Sequence, residues 1–343
     1  MALAESMKVQ ALTPETREPL TSGVRSSVVD IVKGIAIALV VYGHTTQGMI
    51  HRNWWVGPGA IFSDEFIYSF HMPAFFFVSG LFVMSSLKKR GSRQFAVDKL
   101  KTILYPYLLF AVIGALIEPL IGRFKSSTQP IHWSTFLLSV ADGDAGWFLF
   151  TLFLCLMLAL ATARVPAWLR FVAAVLVGLL PPRGPSFLHQ VLHEFCFLAA
   201  GMWVGTHIYR LERLRAAPAA LGFVLLAAFQ TAMIYALGPA ALWLWTYIVL
   251  GLTGTAGAFL LAKLLDKHPI GNGIAWVGRA SLGVFLLSAF AQGATREVLL
   301  RVFHTREFWL QLFLPTLFAI VLPAIAWHQQ DRWRVAWLFR WPF

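Results

Sequence analysis

Charge is what this chain has least of. Only 13% of its 343 residues are charged, while 58% are hydrophobic. A soluble domain carries about 25% charged residues. The mean hydropathy of +0.68 and the repeated long apolar runs exclude an ordinary soluble fold. Cysteine is scarce as well. Cys155 and Cys196 both lie inside apolar runs, so they read as buried thiols and not as a disulfide or a metal pair. No His, Cys, Asp or Glu spacing reads as a metal site. The phosphate-cradling Walker loop, the nicotinamide fingerprint and the GxSxG nucleophile elbow are all missing. Nor does a cleavable signal segment stand out. Residues 1–26 are polar, of mixed charge, and carry Pro14 and Pro19, so they read as a flexible cytoplasmic tail.

What is present is hydrocarbon in lengths that match a bilayer. A membrane-spanning helix needs about 20 apolar residues. Such runs fall at 28–49, 66–87, 101–121, 145–163, 167–181, 187–208, 217–237, 240–264, 274–300 and 308–327. The expected fold is all-α: a polytopic membrane bundle of about ten transmembrane helices spanning residues 27–330, followed by a cytoplasmic tail at 331–343. Acidic residues number 16 against 28 Lys and Arg, for a net charge of +12. Nineteen of the basic residues fall in loops on one side. Seven fall on the other: Arg52, Arg123, Lys125, Arg183, Arg296, Arg301 and Arg306. By the positive-inside rule both termini face the cytoplasm. The basic excess is then a matter of topology and anionic lipid, and nucleic acid is not an expected partner.

Few polar groups interrupt the apolar runs, and they are informative. "DIVKGIAIALVVYGH" places Asp30, Lys33 and His44 in the first span. Lys33 and His44 lie 11 residues apart, three turns plus about 20°, so they share one stripe about 16 Å long. Asp30 falls within about 40° of it. Intramembrane ionisable groups are costly and face the protein interior or a functional path. The bland reading has Lys33 snorkelling beside Asp30 and His44 donating a packing hydrogen bond. The second span, "FIYSFHMPAFFFVSG", sets His71 at a depth close to that of His44. Two imidazoles at one depth can converge on a site that moves a proton. Pro73 predicts a kink beside His71.

These two segments together resemble the membrane-bound acyltransferase 3 family, which acylates carbohydrates of cell envelopes. That family's leading motif is a basic residue, ten residues and a His; Lys33 and His44 fit the spacing. The resemblance continues in "KLKTILYPYLLF", "GWFLFTLF" and "WVGRASLGVFLLS". It departs at Lys33, where Arg is commoner, at Thr102, where a basic residue is expected, and at Ser288, where the family often has His. It implies an integral membrane enzyme of a bacterial inner membrane, with no permanently bound cofactor and with acyl-CoA as co-substrate. The acyl group, acetyl by default, passes to a hydroxyl of an envelope carbohydrate or glycolipid.

The resemblance makes His44 the catalytic residue; His71, at a similar depth, is a second catalytic candidate on its chemistry, as orienter of the acceptor or as oxyanion donor. Direct transfer and an acyl-histidine intermediate both remain open. The phosphates of CoA call for cytoplasmic cations, for which Lys33, Lys99, Lys101 and Arg93 are candidates. Asp30, Asp144 and Trp147 are candidate substrate contacts. Glu194 could partner an intramembrane cation. The rival class is a transporter or flippase of a sugar-containing or anionic substrate, without acyl-transfer chemistry.

Overall fold

The computed structural model describes residues 27–121, 146–180, 186–205 and 214–342. The described residues form helices and no strand. In chain order these are α1 (Ser27–Ile50), α2 (Pro58–Tyr68), α3 (His71–Leu81), α4 (Val83–Lys99), α5 (Tyr105–Ile121), α6 (Trp147–Ala161) and α7 (Ala167–Gly178). There follow α8 (Ser186–Val204), α9 (Ala216–Leu237), α10 (Leu244–Leu265), α11 (Pro269–Arg279), α12 (Ser281–Arg301) and α13 (Phe308–His328). Among the described residues, five helical stretches are long and apolar enough to cross a membrane: Ser27–Ile50, Val83–Ile117, Ala216–Leu242, Trp245–Leu265 and Phe308–His328. The bent pair Pro269–Arg279 and Ser281–Arg301 makes a sixth if it is counted as one span.

Two runs expected to be single spans are broken. The run 66–87 is divided among α2, α3 and α4. Proline has no N–H for the carbonyl four residues back, and its ring collides with that carbonyl. For Pro73 that carbonyl belongs to Ser69, and the chain leaves α2 and enters α3 across Ser69 and Phe70. A buried polar chain staples this break. Gln230 on α9 donates to Ser69 Oγ at 2.7 Å, and Thr253 on α10 donates to Gln230 Oε1 at 3.1 Å. The run 274–300 bends by 81° between α11 and α12. The basic segment after the second run is also more ordered than a loop. Helix continues to Arg90, turns at Gly91 (φ 78°) and resumes through Lys99 into a π-helical turn over Leu100–Leu104. Arg90 reaches back across that turn to pair with Asp98.

Helix α1 is the axis of the assembly, touching α2, α3, α10, α11, α12 and α13. Its Val32, Ile37 and Val41 have no exposed surface. Small residues permit the closest helix approaches. Gly34 on α1 backs onto the carbonyl of Ile274, and Gly278 on α11 onto that of Asp30, so α1 and α11 meet backbone to backbone. By contrast, Leu221, Val224 and Leu225 on α9 and Phe313, Leu317 and Leu322 on α13 are exposed, as side chains that face lipid are.

The segment 331–343 is largely exposed where it is described but touches the bundle at a few points. Trp341 N donates to the Lys101 carbonyl at 3.2 Å and Tyr105 Oη to the Trp337 carbonyl at 2.9 Å. Phe339 lies against Trp327 and is 2% exposed.

Candidate functional site

His44 and His71 are brought together by the break in the second run. His44 lies toward the C-terminal end of α1 and keeps accessible surface. His71, the first residue of α3, is 1% exposed. Its Nδ1 lies 2.5 Å from the Ile67 carbonyl. In a continuous helix the backbone N–H of residue 71 would bond that carbonyl. Here the chain has broken, and the imidazole occupies the position instead. A ring nitrogen facing a carbonyl carries the proton, which leaves Nε2 of the neutral ring as an acceptor. The Tyr68 ring meets His71 edge-on at 4.8 Å and packs against Gly43, the residue before His44. The two imidazoles are near enough to interact electrostatically.

A second layer of polar groups surrounds the next turn of α1, and sequence reasoning did not assemble it. Thr45 Oγ1 donates to the Val41 carbonyl at 3.1 Å and pairs with Thr316 of α13 at 2.9 Å. Gln292 of α12 donates to Thr45 Oγ1 at 2.5 Å and to the Val41 carbonyl at 3.2 Å. One turn on, Arg296 donates to the Thr45 carbonyl at 3.2 Å. Counting Arg296 among the outer-loop cations is therefore corrected: it is 6% exposed and reaches inward over Gly48. The usable signal was the pair Gln292 and Arg296, four apart on one face of an apolar run. Arg52 donates to the Gly48 carbonyl at 3.0 Å from the loop side.

The candidates nearer the start of α1 form a separate group. Asp30 is 3% exposed, and its carboxylate lies 3.9 Å from Arg279, at the bend between α11 and α12. Lys33 is half-buried on α1. Lys99 is half-buried with its ammonium 5.3 Å from the centre of the Phe95 ring, a cation–π distance. Lys101 and Arg93 are exposed. Trp147 begins α6 and packs partly buried against the core. Asp144 lies outside the described residues. Ser288 is 4% exposed inside the bundle.

Glu194 has a neutral partner where a cation was expected. Its Oε1 accepts from Tyr247 at 2.9 Å, and His193 stacks on the Tyr247 ring at 5.0 Å. Phe197 lies edge-on to the same Tyr247 ring.

The site near His44 thus holds an accessible imidazole, a second imidazole with a fixed tautomer, and a buried guanidinium. That set can take a proton from a hydroxyl, hold the hydroxyl by an acceptor and face a developing negative charge. Comparison with known proteins points the same way. Over 188 residues the chain is 29% identical to the nodulation protein NolL of Sinorhizobium fredii, covering 51% of this chain and 48% of that protein. Over 161 residues it is 29% identical to NolL of Mesorhizobium japonicum, covering 44% and 40%. The matches thus span less than half the length of these relatives. No solved structure matches. An acyltransferase-domain family model matches residues 27–328, from the first turn of α1 to the end of α13. The chain therefore belongs to the acyltransferase 3 family of membrane proteins.

Proposed function

We propose that this protein is an O-acyltransferase that moves an acetyl group from acetyl-CoA to a hydroxyl of an envelope carbohydrate or glycolipid. The observation that carries the reading is the accessible His44 beside a His71 whose Nδ1 is held by the Ile67 carbonyl. His44 takes the proton of the acceptor hydroxyl as the hydroxyl oxygen attacks the thioester carbon. The C–O bond forms, the C–S bond breaks, and the proton on His44 passes to the departing thiolate. His71 presents Nε2 as an acceptor, which suits it to orient the hydroxyl. As a neutral ring it does not suit the role of oxyanion donor.

In this reading the phosphates of CoA lie at the end of the bundle that carries Lys99, Lys101 and Arg93, with Lys33 deeper on α1. That end faces the cytoplasm of a bacterial cell, and the bundle crosses the inner membrane ten times. The transporter reading draws on one observation, the two interrupted runs at Ser69–Phe70 and at Ala280, since broken helices line transport paths.

Membranes from an expressing strain, supplied with radiolabelled acetyl-CoA, separate the two readings. Label is expected in polysaccharide or glycolipid, and His44→Ala is expected to abolish it while the protein still inserts. Normal labelling by His44→Ala would remove His44 from the mechanism. Absence of label in wild-type membranes that supply their own acceptor favours transport.

A further inference from the structure

Acyl transfer needs a donor for the oxygen of the tetrahedral intermediate as well as a base. The His71 ring spends its Nδ1 proton on the Ile67 carbonyl, so the donor must come from elsewhere. Arg296 is a guanidinium buried at 6% exposure in an apolar bundle. Its one protein hydrogen bond given by the described residues runs from Nη2 to the Thr45 carbonyl, and its Nε is buried with no partner among them. Glu297, the next residue, has its carboxylate held by Arg301 at 2.7 Å. Arg52 is near enough to add repulsion and Glu297 to add attraction, the repulsion being the larger. A buried cation whose neighbouring carboxylate is already held by another cation remains costly. Its cost is offset when negative charge develops beside it.

The position fits such charge. Gly48, four residues after His44, lies on nearly the same face of α1. Having no side chain, it leaves the guanidinium room against the helix. Cβ bonds tilt toward a helix N-terminus, so a group at the Gly48 Cβ position sits toward the level of His44. In the reaction, three contacts of about 3 Å each link the base nitrogen, the attacking oxygen, the carbonyl oxygen and its donor. The tetrahedral centre folds that path back, so a base and a donor one helical turn apart, ~5.4 Å, can both reach it.

We propose that Arg296 is the oxyanion-stabilising residue of the acyl transfer, its guanidinium facing the carbonyl oxygen of the thioester as that oxygen becomes negative. The inference rests on the acyltransferase reading above. The competing account is purely structural: Arg296 only ties α12 to α1, as Gln292 does.

The test uses purified full-length protein in lipid nanodiscs, radiolabelled acetyl-CoA, and an envelope glycolipid extract from a strain lacking the gene. Arg296→Gln is expected to lower kcat by 100-fold or more, the usual effect of losing one oxyanion donor, with KM for acetyl-CoA within threefold. Arg296→Lys keeps the charge but not the fork, so it is expected to recover part of that loss and remain about tenfold below wild type. Gln292→Ala cuts the other tie between the same helices and is expected to lower thermal stability with kcat within threefold. A wild-type kcat in Arg296→Gln, a change confined to KM, or equal losses of kcat in the 292 and 296 variants overturns the proposal. Should Arg296→Gln fail to fold, Arg296→Lys decides: reduced kcat at unchanged KM supports the role, and full kcat overturns it. His44→Ala runs alongside. If it is inactive while Arg296→Gln is normal, only this inference fails; if both are normal, the acyltransferase mechanism fails with it.

Discussion

Asp64 on α2 is half-buried, and one of its oxygens is enclosed without a hydrogen-bond partner among the described residues. Burial pushes its carboxyl above the usual carboxylate range, while the Gln47 side chain and His51 pull the other way. A raised folded-state value means that the ionised form is penalised in the fold. Stability is therefore full at low pH and is lost as pH rises through the folded value. Asp64→Asn is expected to raise Tm at neutral pH and to flatten its change toward acid, as followed by thermal unfolding in detergent at several pH values. A lower Tm for the variant at neutral pH sinks this account. Residue roles of this kind were only partly legible in the sequence. Asp30 and Lys33 are neighbours on a helical stripe, so spacing suggested them as partners. Asp30 also lies near Arg279, a contact between distant segments that no local pattern encodes. Arg296 was misplaced for a related reason: a basic residue near the end of an apolar run reads equally as a flanking anchor and as a buried cation.

Pro73 acts at the level of the element. It breaks the second run at Ser69–Phe70, and the Ile67 carbonyl, bonded at 3.5 Å by the Phe70 N–H, also meets the His71 ring. Pro73→Ala restores the missing N–H and lets α2 and α3 approach a continuous helix. The backbone N–H of residue 71 then competes with its own imidazole for that carbonyl. Transfer activity is expected to fall tenfold or more while the folded protein persists, checked by initial rates and by the detergent size-exclusion profile. Unchanged rates mean that the break does not position His71. The kink was legible because proline has a local effect. The bend of 81° between α11 and α12 was not, because "WVGRASLG" contains no proline and its glycines fit a helix. The long helices were read well from apolar length, as at α1, α9, α10 and α13. The short α6 and α7 were also placed by their runs, 145–163 and 167–181. There Arg170, counted with the basic residues of the inner side, is 3% exposed and donates to the carbonyls of Thr162, Ala163 and Val165. It thereby caps the end of α6.

For the whole molecule, the open proposition is that the two groups of candidates are reached from opposite sides of the membrane. Arg170 leaves the tally of free inner cations and Arg296 leaves the outer one, so the imbalance of basic residues persists and still points the start of α1 at the cytoplasm. Accessibility tests it directly. Cys155 and Cys196 are both fully buried and are replaced by alanine to give a clean background. Ser92, exposed just after the Gly91 turn, and Val56, 69% exposed beyond the end of α1, then each receive a single cysteine. A membrane-impermeant maleimide is expected to label Val56→Cys in cells whose inner membrane is intact and to reach Ser92→Cys only in inside-out vesicles. Acetyl-CoA is expected to slow labelling of Ser92→Cys, which adjoins Arg93, and to leave Val56→Cys unchanged. Labelling of both cysteines from one side rejects the two-sided arrangement. Opposite labelling with no protection at Ser92→Cys keeps the topology but moves the CoA phosphates away from the Arg93–Lys101 segment. The outcome also bears on how donor and acceptor meet. With phosphates held at the inner end and His44 in the outer half of α1, about 16 Å separates the levels of Lys33 and His44. The pantetheine arm must then run along the polar stripe of α1 for the thioester to reach the imidazole.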